Sequence, residues 1–320
     1  MRYVAKRLVH AVLLLFGVSL LSFLFTSLAP GNYFDEMRLN PQISPETLNA
    51  LRTKYGLNAP IPVRYARWLR SLAHGDLGYS FAYNTPASKL LFRRMGNTLL
   101  LTLTAMLLAW LLATPIGVWS AERAGSAADH TVSVLTAVLL VVPDLILALA
   151  FLLLAVRTGW FPTGGMVSVG FADLSWPGKA RDLALHMALP VSVLLLSALP
   201  ILVRHVRAAL TEVLGSGYLR AAQAHGISRQ KLLYRYALPA AANPLISLFG
   251  FSLGALLSGS LLVEVVMSWP GLGPLLLEAI LARDLHLVIG GVLLSTLFLV
   301  GGNLIGDLLL YWMDPRIRTA

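Results

Sequence analysis

Three observations predict an all-α, multi-pass membrane fold: the composition, the length of the apolar runs, and the placement of cationic residues between them. Apolar residues make up 57% of the 320-residue chain and charged residues only 12%. That is about half the roughly 25% charged share of a soluble domain. At a mean hydropathy of +0.73, a water-soluble fold would expose extended apolar patches. Hydrocarbon is the solvent that suits this chain.

A helix needs about 20 apolar residues to cross a hydrocarbon layer of about 30 Å. Six stretches qualify: 8–29, 97–120, 131–156, 187–206, 243–263 and 287–312. The first follows Arg2, Lys6 and Arg7 and ends on Ser27-Leu28-Ala29, a small-x-small pattern like that of a signal peptide. The run is longer than a signal core of about 7–15 residues, and Pro30 would follow the cut. An uncleaved transmembrane helix is the expectation.

Orientation follows from the cations of the short loops. With the N-terminus inside, the cytoplasmic segments hold Arg2, Lys6, Arg7, Arg123, Arg204, Arg207, Arg220, Arg229, Lys231, Arg235, Arg316 and Arg318. The short external loops hold Arg157, Lys179, Arg181 and Arg283. Six spans with both termini inside satisfy this bias. It also accounts for the net charge of +10 without nucleic acid, because no continuous basic stripe or aromatic-basic interleaving is present. With no cysteine in the chain, thiolate metal sites, disulfides and a cysteine nucleophile are excluded.

The long segment 31–96 has organisation of its own. Ser44-Pro45-Glu46 opens a helical stretch to Tyr55, which Gly56 stops. Beyond Pro62, the apolar Val63, Trp68, Leu69 and Leu72 interleave with Arg64, Arg67 and Arg70. That pattern fits a helix lying on the outer membrane surface and equally a small cap packed on the bundle. No phosphate-binding, zinc-protease or serine-hydrolase motif stands in a credible context.

The most informative stretch is Tyr218–Pro239. Residues 218–225 are strong helix formers, and Ala221, Ala222 and Ala224 give a smooth surface. Gly226 suits the left-handed turn that ends such a helix. Ser228 is placed to cap a second helix, and Pro239 to close it. The product is a short, exposed two-helix hook. On local physics, a docking element and an ordinary surface hairpin stand level.

Ala221, Ala222, Gly226, Leu238 and Pro239 resemble the EAA loop of bacterial ABC importer permeases. Two positions depart from that pattern: Arg220 stands where a Glu is usual, and Tyr236 where a His is frequent. Further matches follow in order along the chain. They are Tyr3 to Arg7, Leu28-Ala29-Pro30-Gly31, Lys54-Tyr55-Gly56-Leu57 with Pro60, and Gly75 to Ser80. Next come Gly159-Trp160-Phe161-Pro162, then His186 with Leu189-Pro190 before span four, Ser260 to Glu264, Ser268 to Gly273, and Asp314 to Arg318. Together these resemble the first permease of the dipeptide/oligopeptide/nickel group.

That resemblance implies a MetI-like permease forming half of a translocation path for di- or oligopeptides or a similar small solute. Nickel chelates, glutathione, opines and sugars are alternative cargoes. It implies four kinds of partner: a second homologous permease, two ATP-binding subunits, an extracytoplasmic solute-binding protein and membrane lipid. ATP and Mg²⁺ would be bound by the partner ATPase, leaving no cofactor, metal or catalytic residue in this chain. The expected location is the bacterial inner (cytoplasmic) membrane. The segments are then an N-terminal transmembrane helix (1–30), an extracytoplasmic segment with short amphipathic helices (31–96), a permease core (97–313) holding a coupling loop (207–242), and a cytoplasmic tail (314–320).

Ionisable groups at membrane depth are costly and gather on watery paths or in structural pairs. Asp144, after Pro143 in the third span, is a candidate for either. Glu264 is expected to cap the Trp269–Gly273 turn, and Asp307 to pair with Arg204 or Arg207. Gly250, Gly254 and Ser258 form a small-residue row for close helix packing, within this subunit or against a second permease. An ion-coupled transporter would place carboxylates in symmetric halves, and a membrane enzyme needs a paired acid and base. One aspartate and no inverted repeat favour neither.

Overall fold

The computed structural model describes residues 2–28, 33, 44–54, 56 and 58–313. The Ala29-Pro30-Gly31 motif, Tyr55, Leu57 and the 314–320 tail with its Asp314–Arg318 motif lie outside the described residues. The chain divides into two compact units, residues 1–98 with 270–298, and 99–269 with 299–320.

The first unit contains α1 (Arg2–Leu28), α2 (Pro45–Lys54), α3 (Ile61–Ala73), a hairpin of β1 (Tyr79–Ser80) and β2 (Thr85–Pro86), and the start of α4 (Ala87–Glu122). It also holds α12 (Leu272–Leu281) and the first half of α13 (Leu285–Met313). Pro62 sits in the first turn of α3, where a missing N–H costs nothing. The apolar stripe of α3 buries Trp68 with Phe23 of α1 and Ile289 of α13. Tyr65 meets the Phe23 ring edge-on and shares a 2.9 Å hydrogen bond with the Ser19 hydroxyl. This packing on α1 and α13 is what the cap reading of the helix expects.

The hairpin is fastened to a buried carboxylate at the foot of α13. Asp284 accepts hydrogen bonds from the Ser80 hydroxyl at 2.7 Å, the Ala82 amide at 3.1 Å and the Leu287 amide at 3.3 Å. Gly78 is required twice over: its φ is +96°, and a Cβ there would come within 2.3 Å of the His286 ring. At the hairpin tip, Tyr83 donates to Glu278. Burial first, and then that carboxylate, push the Tyr83 phenol up to about 12.

The second unit holds the rest of α4, then α5 (Ala127–Val141), α6 (Asp144–Thr158), α7 (Trp176–Leu214), the hook, α11 (Ala242–Val266) and the end of α13. In the whole chain five described helices are long and apolar enough to cross a membrane, or up to six if α5 and α6 count as one span. The expected third span, 131–156, is therefore corrected: α5 and α6 meet at a 92° bend. Pro143 cannot donate to the ladder and pushes Val142 out of the helical region. Val142 accordingly adopts φ −80° and ψ 116°.

The fourth span also differs from expectation. Helix α7 has 39 residues and includes His186, which the sequence places in a loop. It tolerates Pro190 and Pro200, both buried, because local rearrangement and neighbouring side chains can satisfy freed carbonyls. The small-residue row packs within the unit. A Cβ on Gly250 would lie 2.8 Å from the Gly302 carbonyl, and one on Gly254 2.3 Å from Leu299, whereas Ser258 stays exposed. Replacing Gly250 by leucine is expected to cost about 1–3 kcal/mol by overpacking. Gly301→Ala meets nothing within 4 Å and should leave the thermal midpoint of the detergent-solubilised protein unchanged.

Candidate functional site

The hook between α7 and α11 begins with α8 (Gly217–Ala224), which ends in a Schellman turn. The Gly226 amide donates to the Gln223 carbonyl at 3.0 Å, and the Ile227 amide reaches the Ala222 carbonyl at 3.4 Å. This closure puts Gly226 at φ +80°. Nothing lies within 4 Å of a Cβ built there, so the requirement for glycine is conformational rather than steric.

The second arm starts at α9 (Arg229–Leu232) and differs from expectation in two respects. Ser228 occupies the N-cap position with extended dihedrals, but its side chain makes no capping hydrogen bond; its carbonyl instead accepts from Leu232. Pro239 does not close the arm. It lies inside α10 (Leu238–Ala240), reached through a π turn over Leu233–Ala237. Lacking an N–H, Pro239 cannot bond the Arg235 carbonyl and its ring would strike it. The wider turn, in which the Leu238 amide donates to Leu233, accommodates the ring.

Packing fixes the hook on its inner side and leaves its tip free. Leu219, Leu232 and Ala237 are buried together, with Ala222 and Ile227 against them. Leu233, flanked by Leu238, packs into a second cluster with Val118 and Ala121 of α4 and Val206 and Leu210 of α7. Ala221, Gly226, Ser228 and Pro239 are exposed, and Ala222 and Leu238 half-buried. Arg220 acquires a physical role: its guanidinium donates to the Gly215 carbonyl at 3.0 Å, a cation at the C-terminal end of α7.

Asp144 lies on the first turn of α6, at the bend. Its carboxylate accepts from the Ser197 hydroxyl of α7 at 2.7 Å. Gly259 of α11 leaves room there, since a Cβ would sit 3.6 Å from Oδ2. Asp144 thus bonds α6 to α7 beside α11 and is half-buried. At the C-terminal end of α11, Glu264 is buried, and it is its backbone carbonyl that closes the turn by accepting from the Trp269 amide.

One group at the hook end has no counterpart in the sequence reading. Asp129, buried on the first turn of α5, pairs with Arg207 through both oxygens at 2.5 and 2.7 Å. It also accepts from the Ser120 hydroxyl at 2.6 Å and the Gly125 amide at 2.9 Å. Arg207, one of the two arginines expected to pair with Asp307, thus pairs with Asp129. The Ser126-x-x-Asp129 spacing signals a helix start, but nothing local points to an arginine 78 positions away.

Broken and long apolar helices around an exposed helical hook define a membrane permease. The family described as binding-protein-dependent transport system inner membrane component matches residues 113–319, and its N-terminal companion matches residues 1–102. The chain belongs to this family. It is 34% identical over 318 residues to the oligopeptide transport system permease protein AppB of Bacillus subtilis, covering 99% of each chain. It is 33% identical over 335 residues to the dipeptide transport system permease protein DppB of Escherichia coli K12, again covering 99% of each. Among solved structures, an inward-facing MetNI methionine ABC transporter matches with a TM-score of 0.55 at 20% identity, over 71% of this chain and 97% of the other. The chain therefore has the fold of an ABC importer permease.

The left-handed turn carries a quantitative expectation. Gly226→Ala should destabilise the hook by about 1–2 kcal/mol, and Gly226→Asn by less, because Asn tolerates that region. Amide hydrogen exchange over residues 217–240 measures the difference, while the membrane helices keep their protection.

Proposed function

We propose that this permease forms half of an import path for di- or oligopeptides or a similarly small solute. The path closes against a second homologous permease in the bacterial inner membrane, and both termini of this chain are cytoplasmic. Two ATP-binding subunits carry ATP and Mg²⁺, and an extracytoplasmic binding protein delivers cargo. Full-length likeness to permeases named for oligopeptides and dipeptides supports the cargo class.

The observation that carries the coupling role is the form of the hook. Its inner face is buried in two apolar clusters while Ala221, Gly226 and Ser228 stay exposed at its tip. A rigid, smooth projection of this kind suits a groove on an ATP-binding subunit, and a push on it enters α7 and α11 directly. Asp144 suits a place on the path, because the bend exposes backbone and a carboxylate where three helices meet. Irregular backbone at membrane depth is tolerated where it is enclosed by protein or lines a cavity.

Two substitutions separate these roles in proteoliposomes holding the whole complex, with labelled dialanine as cargo. Gly226→Pro should leave insertion intact and abolish binding-protein-stimulated ATP turnover; normal stimulation would refute the coupling role. Asp144→Asn should keep ATP turnover within about twofold and lower uptake about tenfold, a change of about 1.4 kcal/mol in the transport barrier. Uptake equal to the parent protein would remove Asp144 from the path.

A further inference from the structure

Between the hook and the turn joining α4 to α5 lies an open cleft of about 380 Å³. Ala121, Glu122 and Ala124 line one side, with Gln223, Ile227 and Leu232 on the other. Arg229, the first residue of the hook's second arm, bridges it. Its Nη2 donates to the Glu122 carbonyl at 2.7 Å, and its Nε lies 3.7 Å from the Glu122 carboxylate. The bridge sets a cation against the C-terminal end of α4. Seven residues further on, Asp129 gathers the Ser120 hydroxyl of α4, the Gly125 amide of the turn and the Arg207 fork of α7 onto one buried carboxylate.

We propose that Glu122–Arg229 and Asp129–Arg207 form a strut that makes the hook, the α4–α5 turn and α7 move as one piece, with Asp129 as a positioning residue for coupling. The apolar contacts at the hook's base resist compression but allow sliding. A bidentate arginine–carboxylate pair fixes direction as well as distance. Without the strut, displacement of the hook is absorbed by the cleft. With it, a push reaches the foot of the bent α5–α6 pair, whose bend carries Asp144. The strut is thus a second route from hook to membrane, beside the chain's own continuity into α7 and α11. This inference rests on the coupling role proposed for the hook.

The test uses the assembled complex and needs only ATP and vanadate as the probe. The chain contains no cysteine, so spin labels can be placed in pairs, Gln230→Cys on the hook with either His130→Cys on α5 or Trp160→Cys beyond α6, all exposed positions. On vanadate trapping, the 230–160 distance should change while the 230–130 distance holds within about 2 Å, the scale of a small helix shift. In Asp129→Asn the 230–130 distance should shift by more than about 5 Å, a helical turn, and uptake per ATP hydrolysed should fall at least about tenfold. That ratio is insensitive to the fraction of folded complex, since both rates scale with it. Should Asp129→Asn fail to assemble, Arg229→Gln, at the exposed end of the strut, is expected to free the same distance. A 230–130 distance that moves in the parent protein, or stays fixed in the variant with the uptake ratio unchanged, overturns the strut. No change at any pair overturns the coupling role itself, a separate failure.

Discussion

The constraint on which this molecule depends is that hydrocarbon offers no hydrogen bonds. Each backbone N–H and C=O within the membrane must find its partner inside the protein, so the spanning elements are helices and every interruption needs a local remedy. At Pro143 the remedy is a clean break: Val142 turns extended, and a new helix starts at Asp144 with a carboxylate near its positive end. In α7, where Pro190 and Pro200 are buried, the helix instead runs on. The same ring chemistry thus breaks one span and is absorbed by another, and the surrounding packing decides which.

Where the chain leaves the apolar spans, the same accounting is met with turn geometry. The Schellman closure at Gly226 returns two carbonyls of α8 to use, and the π turn before Pro239 shifts the ladder by one residue instead of ending it. Both devices close the hook through backbone hydrogen bonds. π turns inserted in α-helices are found frequently at functional sites. The cost is a dependence on one glycine that most L-residues replace only with strain.

The parts legible in the sequence were those governed by local rules. Apolar length placed the membrane helices, and Gly226 announced its own left-handed turn. Boundaries were less legible, because helicity does not stop where apolarity stops: α7 extends to Trp176 and Leu214 through residues that no hydropathy window includes. The bend at 142–143 was half legible. Pro143 was visible, but whether it would kink or break a span depends on the partners of Asp144, and Ser197 lies 53 positions away. Least legible was Asp129. Its neighbourhood reads as an ordinary helix start, and its meaning comes from Arg207, which the sequence assigns to orientation and to a pairing with Asp307 instead.

The Asp129–Arg207 pair also bears on why a stable chain would bury charge where an apolar contact would serve. Buried ion pairs contribute little net stability and often less than a hydrophobic replacement. Four hydrogen bonds converging on one carboxylate offer something apolar packing does not, a single allowed geometry for several elements at once. Leu233 and Val118 could settle in neighbouring registers with little change in energy. The arginine fork cannot, because rotating it leaves a buried carboxylate short of donors. In the proposed strut, charge supplies direction rather than stability, at the foot of the hook, where a push from a partner would have to keep its direction to be of use.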